Sequence, residues 1–224
     1  MWQKIDPRWF RVWITKPWLN EWIAKTKSQS ADFFVEDVKI NKFVDNYFKR
    51  AGIWKVVIRK TDRDWEVIIF TSKPAVVIWK QWANLEKFQQ ALKKKFNKDF
   101  KVNVKEIKNP ELSAKIVSEL ASEQIEKRMP FRRVGKSIVQ KVMDKGALWV
   151  KFYIAWRLGW SDIARSESLI KWRVPLQTLK ADIDYHYTTA VTKYWVLWIK
   201  IWIYKWDIYN KTNTSNQFAF AKQS

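Results

Sequence analysis

The sequence predicts an α+β protein built from two domains. Three observations support this fold class. Apolar residues recur at helical spacing in both halves of the chain, β-branched or alternating stretches typical of strands occur in both halves, and Asn109-Pro110-Glu111 indicates a helix start near the middle. With 224 residues the chain is long enough for two small domains that each bury a core. We therefore expect a domain boundary at Lys108–Asn109.

The net charge indicates a polyanionic partner. The chain has 43 Lys and Arg against 22 Asp and Glu, a formal net charge of +21. The positive electrostatic field of such a protein favours a nucleic acid as its partner, with an anionic membrane surface as the second choice. Cysteine is absent, which excludes disulfides and thiolate metal sites and fits a reducing cytoplasm. No apolar run approaches the ~18 residues that span a bilayer, and the N-terminus lacks the apolar core of a signal peptide, so we expect a cytoplasmic protein.

The N-terminal half begins with a basic, aromatic and aperiodic stretch over residues 1–30, which predicts an extended arm lying against another surface. A helix is expected from Ala31, with Gly52 ending it. Its apolar stripe should contain Phe34, Val38, Tyr47 and Phe48. Residues 53–59 and 66–71 are β-branched runs on either side of a polar TDRD segment, which predicts a hairpin.

The stretch VVIWKQWANLEKF, residues 76–88, predicts a buried strand, a four-residue loop and a helix. The loop consists of Trp79, Lys80, Gln81 and Trp82. Two tryptophans are unusual there, because tight loops favour glycine, which adopts positive φ without strain. The helix carries an apolar stripe of Leu85, Phe88, Leu92 and Phe96. A strand over residues 101–107 then closes this half.

The C-terminal half begins with two predicted helices. Asn109 is the expected cap of the first and Pro110 its first residue. Its apolar stripe should contain Leu112, Ile116 and Leu120. Pro130 ends this helix and opens the second, which Gly146 ends. The second helix should face the core with Val134, Ile138 and Val142.

The rest of the chain predicts a mostly antiparallel sheet. Apolar and aromatic residues alternate with Lys, Asp and His over residues 179–187. A second alternating stretch places Leu197, Ile199, Ile201 and Ile203 on one face. This pattern is typical of a sheet with one buried face. After Asn210 the tail is polar.

The strongest electrostatic feature lies between residues 127 and 151, where Asp144 is the one acidic residue. At about 100° per residue, Arg132, Arg133 and Lys136 fall on one side of their helix, opposite the apolar stripe. The other basic residues of this segment are Lys127, Arg128, Lys141, Lys145 and Lys151. A solvated charged face is the ordinary explanation, but the scarcity of acids favours a phosphate-binding face.

Candidate catalytic residues are sparse. His186, the one histidine, and the carboxylates Asp182 and Asp184 share the polar face of a predicted strand. The two carboxylates could form a metal-binding pair in a nuclease. A solvated pair or a salt bridge to basic neighbours fits better, because the stretch offers no further ligands. The chain has neither a nucleophile motif nor a P-loop, so we expect no enzymatic activity, no metal and no cofactor.

Seven segments resemble the bacterial family of small-subunit ribosomal protein number three. They are MWQKIDPRWFRVWITKPW, KPAVVIWKQW, NPELSAKIVSEL, PFRRVGKSIVQKVM, RLGWSDIARSE, RVPLQTLKADIDY and WVLWIKIWIYKWDI. The resemblance implies a basic arm (1–30), a type II KH-like domain (31–108) and a polar tail (211–224). Between the last two it implies a two-layer C-terminal domain (109–210), with two helices on a mostly antiparallel sheet.

The resemblance also implies a function. Members of the family bind small-subunit rRNA in the head of the subunit and pack against the tenth and fourteenth small-subunit proteins. They also line the channel where mRNA enters, and they are neither enzymes nor membrane proteins. A free-standing KH-type RNA-binding factor is the alternative, and co-sedimentation with small subunits in high salt separates the two.

Three groups of residues carry the implied function. The loop of Trp79, Lys80, Gln81 and Trp82 matches the KH loop, which holds nucleic-acid backbone against a helix N-terminus. By position, Arg132, Arg133 and Lys136 match the family residues that help to open mRNA structure. The rRNA-binding patch would contain Lys127, Arg128, Lys141 and Lys145.

Tryptophan stands at many positions where this family has glycine. The chain has 17 Trp and only 4 Gly. The replacement is clear at Trp2, Trp9, Trp13, Trp79, Trp82, Trp149, Trp156, Trp160, Trp172, Trp195, Trp198 and Trp206, and less clear at Trp54 and Trp65. Trp18, Trp22 and Trp202 stand where the family tolerates or has tryptophan.

We hypothesise that these codons are UGA, which some bacterial lineages read as glycine, so that the KH loop is physically Gly-Lys-Gln-Gly. Glycine at these positions would bring its share close to the usual ~7%. It would also avoid a cost of about 1 kcal/mol or more at each turn.

Overall fold

A computed structural model describes residues 4–48, 51–61, 65–78, 83–172 and 175–208. The chain divides into two compact units. Residues 18–110 form one, and the segment up to Pro17 forms the other together with the chain from Glu111 onward. Each unit combines helices with a sheet, which confirms the α+β class. Within the described ranges no helix is long and apolar enough to span a bilayer.

The unit of residues 18–110 contains a three-stranded sheet. Strands β1 (Ile53–Lys60) and β2 (Trp65–Thr71) pair antiparallel, as the predicted hairpin requires, and β3 (Phe100–Glu106) pairs parallel to β2. A parallel pair needs a crossover connection, which helices α2 (Pro74–Ile78) and α3 (Ala83–Phe96) supply.

The apolar stripe predicted for α3 is confirmed, whereas the strand predicted before it is wrong. Leu85, Phe88 and Leu92 are buried, and Phe96 packs against the same core. Residues 74–78 form helix α2, with Pro74 in its first position, where the missing N–H costs nothing. Periodicity cannot separate a short buried strand from a short buried helix.

Helix α1 (Lys27–Tyr47) begins before the predicted start at Ala31, because Thr26 caps it by accepting a 3.3 Å hydrogen bond from the Gln29 N–H. Its predicted apolar stripe is wrong, since Phe34, Val38 and Tyr47 are exposed and only Phe48, just past the helix, is buried. Gly52 does not end the helix; it adopts a φ of 62° immediately before β1.

The buried face of α1 is centred on a carboxylate. It consists of Asp37, Ile40 and Val44. The Asp37 carboxylate lies 2.6 Å from the buried Lys60 ammonium and accepts hydrogen bonds from Asn20 (2.6 Å) and the Trp22 indole (2.7 Å). These three donors make the burial of Asp37 tolerable. The apolar pattern missed this face because its central residue is charged.

The second unit contains a four-stranded antiparallel sheet in the order β5-β4-β7-β6. The strands are β4 (Trp149–Trp156), β5 (Arg165–Lys171), β6 (Ala181–Val191) and β7 (Val196–Asp207). Two helices pack on one face, as predicted. The four β7 residues predicted to be buried, Leu197, Ile199, Ile201 and Ile203, lie in the core beneath them.

The opposite face of this sheet is not wholly exposed. Trp202 and Tyr204 of β7 are also buried, in a small cluster with Trp149, Ala181 and Ile183. The Trp149 and Tyr204 rings shield each other, with centroids 4.9 Å apart. The predicted one-sided burial is therefore wrong at this end of the sheet.

Helix α4 (Ala114–Glu126) begins later than predicted, after a 3₁₀ turn at Pro110–Leu112. Asp184 on β6 accepts a 3.0 Å hydrogen bond from the Ala114 N–H. A carboxylate distant in sequence therefore stabilises the start of this helix, the role predicted for Asn109. The predicted stripe is wrong at Ile116 and Leu120. The residues that face the core are Ala114, Val117, Ala121 and Ile125.

Residues 4–17 are held against strand β6 and the loop before it. Trp9–Arg11 form a 3₁₀ turn, so this part of the predicted arm is not simply extended. The Arg11 guanidinium is fully buried and donates to four carbonyl oxygens at 2.7–2.9 Å, those of Pro7, Leu176, Thr178 and Ala181. Lys16 adds a 2.9 Å hydrogen bond to the Ile183 carbonyl and a 2.7 Å ion pair with Asp182.

Candidate nucleic-acid interface

Helix α5 (Phe131–Asp144) presents the basic cluster predicted from the sequence. It follows Pro130 and is followed by Gly146, whose φ is 87°, as predicted. Its buried face contains Val134, Gly135, Ile138, Val139 and Val142. The side chains of Arg132, Arg133 and Lys136 are exposed on the other side. The helix thus holds three cations on one rigid, solvent-facing surface, which we call the α5 cluster.

Gly135 allows α5 to approach the sheet closely. A Cβ at this position would lie 2.6 Å from Cδ1 of Leu169 and 3.1 Å from two ring atoms of Phe152. Both neighbours belong to the sheet, so a larger residue would push the helix outward. The depth at which the α5 cluster sits therefore depends on a glycine within the same helix.

Arg132 is held by a carboxylate on the neighbouring strand. Its Nε and Nη2 atoms donate to the two carboxylate oxygens of Glu167 on β5, at 3.1 Å and 2.8 Å. This hydrogen bond raises the pKa of Arg132 and lowers the pKa of Glu167. In the described part of the chain Arg133 and Lys136 form no ion pair. Two of the three cations therefore have no competing carboxylate within the described ranges.

Lys127 and Arg128 lie at the end of α4. The Arg128 N–H donates to the Ile125 carbonyl at 2.9 Å and the Met129 N–H to the Gln124 carbonyl at 3.1 Å, the two hydrogen bonds of a Schellman motif. Arg128 occupies its left-handed position, with a φ of 63°, where glycine or asparagine is usual. The motif turns the chain towards α5 and leaves both basic side chains exposed.

Lys141 and Lys145 are exposed but are not brought next to the α5 cluster. Lys141 is nine residues after Arg132, which places it about 13 Å along the helix and about 180° around it. Lys145 follows the last helical residue. The four residues predicted as an rRNA-binding patch thus lie at two separate places along the α4–α5 segment.

The KH loop of Trp79, Lys80, Gln81 and Trp82 lies outside the described residues. Its flanks are described, and they show that the loop joins helix α2 to helix α3. The predicted connection between a strand and a helix is therefore wrong, although the following helix is correct.

Among the tryptophans that the structure describes, three have a left-handed backbone. They are Trp13, Trp156 and Trp172, with φ values of 71°, 107° and 69°. All three are positions for which the sequence resemblance led us to hypothesise glycine. By contrast, the Trp22 indole donates to Asp37, and the Trp202 ring packs against Tyr185 with centroids 5.1 Å apart. These three strained positions are among those for which glycine is hypothesised. Trp22 and Trp202 make specific indole contacts without such strain, and so does Trp149, although glycine is hypothesised there as well.

The residues considered for catalysis have structural partners. Asp182 pairs with Lys16, as a salt bridge to a basic neighbour predicts, and Asp184 caps α4. Among the described residues no group of three or more His, Asp or Glu side chains could hold a metal ion. Glu167 and Arg11 were not identified from the sequence, because their importance depends on partners in distant segments.

Comparisons with known proteins agree with the fold. Residues 39–112 match the family described as KH domain, and residues 121–203 match the C-terminal domain of ribosomal protein S3. The chain is 42% identical over 208 residues to the small ribosomal subunit protein uS3 of Persephonella marina, covering 92% of this chain and 91% of that protein. The uS3 protein of Thermosipho africanus is 40% identical over 208 residues, covering 92% and 99%. That of Coprothermobacter proteolyticus is 38% identical over 210 residues, covering 93% and 89%.

A KH domain followed by a ribosomal C-terminal domain defines a structural RNA-binding protein of the ribosome rather than an enzyme. The chain belongs to the uS3 family of small ribosomal subunit proteins.

Proposed function

We propose that the α5 cluster grips the backbone of single-stranded mRNA where the message enters the small subunit. The observation that carries this proposal is the exposure of Arg132, Arg133 and Lys136 on one helix face, with Arg133 and Lys136 free of ion pairs among the described residues. The resemblance of this segment to the family residues that open mRNA structure supports it.

The mechanism is electrostatic and involves no covalent chemistry. Each lysine or arginine that neutralises a phosphate releases a condensed counterion, which favours binding and makes it salt-dependent. A rigid helix holding three cations favours an extended strand over a folded one, because phosphates of an unpaired strand can follow the spacing of the side chains. Holding the strand open in this way shifts the equilibrium of mRNA hairpins towards the unpaired form.

The remaining sites take part in rRNA binding under the same proposal. Lys127, Arg128, Lys141 and Lys145 contact rRNA phosphates, and the loop at 79–82 holds rRNA backbone within a KH domain at 31–108. The domain at 109–210 carries the mRNA contact. The arm at 1–30 and the tail at 211–224 flank the two domains. The protein sits in the head of the subunit, against the tenth and fourteenth small-subunit proteins.

The test compares two sets of substitutions along the same α4–α5 segment. Subunits carrying R132A/R133A/K136A should assemble normally, translate unstructured mRNA at the usual rate and slow markedly on mRNA with a stable hairpin. The matched variant K141A/K145A should instead weaken subunit assembly and leave hairpin unwinding unchanged. Loss of assembly in the triple variant would show that the α5 cluster serves rRNA packing, and the mRNA proposal would be wrong.

A further inference from the structure

The face of the C-terminal sheet opposite α4 and α5 carries aromatic and basic side chains in ordered rows. Residues directly opposite each other on neighbouring strands project to the same side. One row crosses the sheet as Ser168, Tyr153, Lys200 and Tyr187, and the next as Ile170, Lys151, Trp202 and Tyr185. The third row is Ser166, Ala155, Trp198 and Thr189. We call these three rows the open sheet face.

The open sheet face is positive and aromatic without any carboxylate in its twelve positions. The Lys151 ammonium lies 5.2 Å from the Trp202 ring centre, and that of Lys200 lies 6.0 Å from the Tyr187 ring centre. Tyr187 is 43% exposed, and Tyr153 is partly exposed. Trp198 is a position at which glycine is hypothesised, so the stacking groups of this face are its tyrosines.

Lys151 experiences unfavourable electrostatics that an anion would relieve. Its pKa is lowered by partial burial and by the like charge of Lys4 on the N-terminal segment. A phosphate placed between these two ammonium groups would interact favourably with both. The Asp6 carboxylate of the same segment is paired with Arg8 beside Tyr185, so the two lysines and the lack of carboxylates in the twelve positions favour a polyanionic partner.

We propose that the open sheet face is a second RNA-binding surface, on which Tyr153 and Tyr187 stack against unpaired rRNA bases while Lys151 and Lys200 contact the adjoining phosphates. A sheet with helices on one side and stacking aromatics on the other is a general solution for binding unpaired nucleotides. Tyr153 on β4 and Tyr187 on β6 lie on either side of Lys200 on β7. The two tyrosines are therefore separated by two strand spacings, or about 9–10 Å.

The partner is rRNA rather than mRNA or a membrane. Helix α5 packs on the other face of the same sheet, so a strand held by the α5 cluster lies on the opposite side of the unit. A membrane-inserting face requires a continuous set of bulky apolar side chains. Apart from Trp198, where glycine is hypothesised, the exposed aromatic side chain of this face is that of Tyr187, and Ile170 is the one large aliphatic residue among the twelve positions.

The first test maps contacts on native small subunits washed free of mRNA. Ultraviolet cross-linking followed by peptide mass spectrometry should yield rRNA nucleotides attached to the peptides that contain Tyr153 or Tyr187. Adducts at these tyrosines that form only after mRNA is added would overturn the choice of rRNA. A complete lack of adducts at both tyrosines would overturn the proposal itself.

The second test measures binding of the full-length protein to an oligouridylate. Y153A/Y187A should weaken binding by about fivefold or more for each lost stack, whereas the matched variant Y153F/Y187F should remain within about twofold of the unsubstituted protein. The same loss should appear in an R132A/R133A/K136A background, which separates this proposal from the mRNA proposal. Unchanged RNA binding by Y153A/Y187A would overturn the inference. The inference would also be overturned if this variant lost binding to phosphatidylserine vesicles but kept its binding to RNA.

A third variant keeps the inference testable if the alanine variant folds poorly. K151Q/K200Q removes the two lysines and leaves the tyrosines in place. The slope of log K against log salt concentration should fall by about 1.4, which corresponds to two phosphate contacts with a single strand. An unchanged slope would show that these lysines do not touch RNA.

Discussion

Arg132 and Glu167 form a two-point ion pair between helix α5 and strand β5, with donor–acceptor distances of 3.1 Å and 2.8 Å. The pair fixes the guanidinium on the helix surface and at the same time occupies the donors that a phosphate would use. Its strength is limited by solvent, since the Arg132 side chain is 66% exposed. Glu167 therefore acts as a weak competitor of RNA for this arginine.

Replacing Glu167 with Gln should strengthen RNA binding. The uncharged amide competes less well for Arg132, so we expect a severalfold higher affinity for single-stranded RNA. The salt-dependence slope should become steeper by about 0.7, because one more phosphate contact becomes available. E123Q, which removes an exposed carboxylate from α4, is the matched control and should have little effect. An affinity of E167Q equal to that of E123Q would contradict the competition.

Acidification should break the same ion pair. Arg132 lowers the pKa of Glu167, so the carboxylate is charged and the pair is intact at neutral pH. Any stabilisation from it is present above the unfolded pKa of about 4.3 and is lost as the pH falls through the folded value. NMR titration of the Glu167 carboxyl should show a midpoint below that of the same titration in an R132A variant. Coincident midpoints would mean that the pair does not form in solution.

Arg128→Gly should separate stability from RNA affinity. The left-handed backbone at φ 63° disfavours a side chain. Glycine should therefore raise the free energy of unfolding by about 1 kcal/mol. The loss of one cation should weaken rRNA binding at the same time. R128K should change neither quantity much, whereas R133G, inside a helix, should lower stability by a few tenths to about 1 kcal/mol. Denaturant unfolding and RNA titrations measure the two effects.

Arg11→Lys should destabilise the C-terminal unit. The buried guanidinium serves four carbonyl oxygens at once, whereas a lysine ammonium has three N–H donors on a single nitrogen and cannot serve all four. Leaving buried carbonyls unpaired should cost roughly 2–4 kcal/mol in thermal or chemical unfolding. Arg8 lies on the same segment, is partly exposed and donates its hydrogen bonds to the Asp6 carboxylate. R8K is thus the matched control and should cost well under 1 kcal/mol.

Peptide mass spectrometry of the native protein should show glycine masses at positions 13, 156 and 172. The backbone φ values there, 71°, 107° and 69°, raise the conformational free energy of tryptophan but are readily adopted by glycine. Peptides covering Trp22 and Trp202 provide the internal control and should keep tryptophan masses. The peptide across residues 76–88 extends the test to the KH loop. Tryptophan masses at all of these positions would contradict the codon hypothesis without affecting family membership.

The sequence predicted well those helices and strands that are specified by residues close together along the chain. The α5 helix follows a proline, buries the predicted apolar residues and is followed by a glycine with positive φ. The β1–β2 hairpin and the buried face of β7 were likewise predicted, because the pattern of apolar residues along one continuous stretch indicates which side chains are buried in the core. The short helix α2 was missed, because five residues do not distinguish the two periodicities.

The sequence by itself determined the sign of the protein's electrostatic field, the class of its partner and the helix face that carries Arg132, Arg133 and Lys136. Each of these follows from composition or from a spacing within one helix. Only the tertiary structure decided which residue pairs with Arg132, which carboxylate caps α4 and which tyrosines align across the open sheet face. These features join segments tens of residues apart. They depend on strand register and helix packing, which are set by the burial of the whole core and cannot be inferred from any single stretch of the chain.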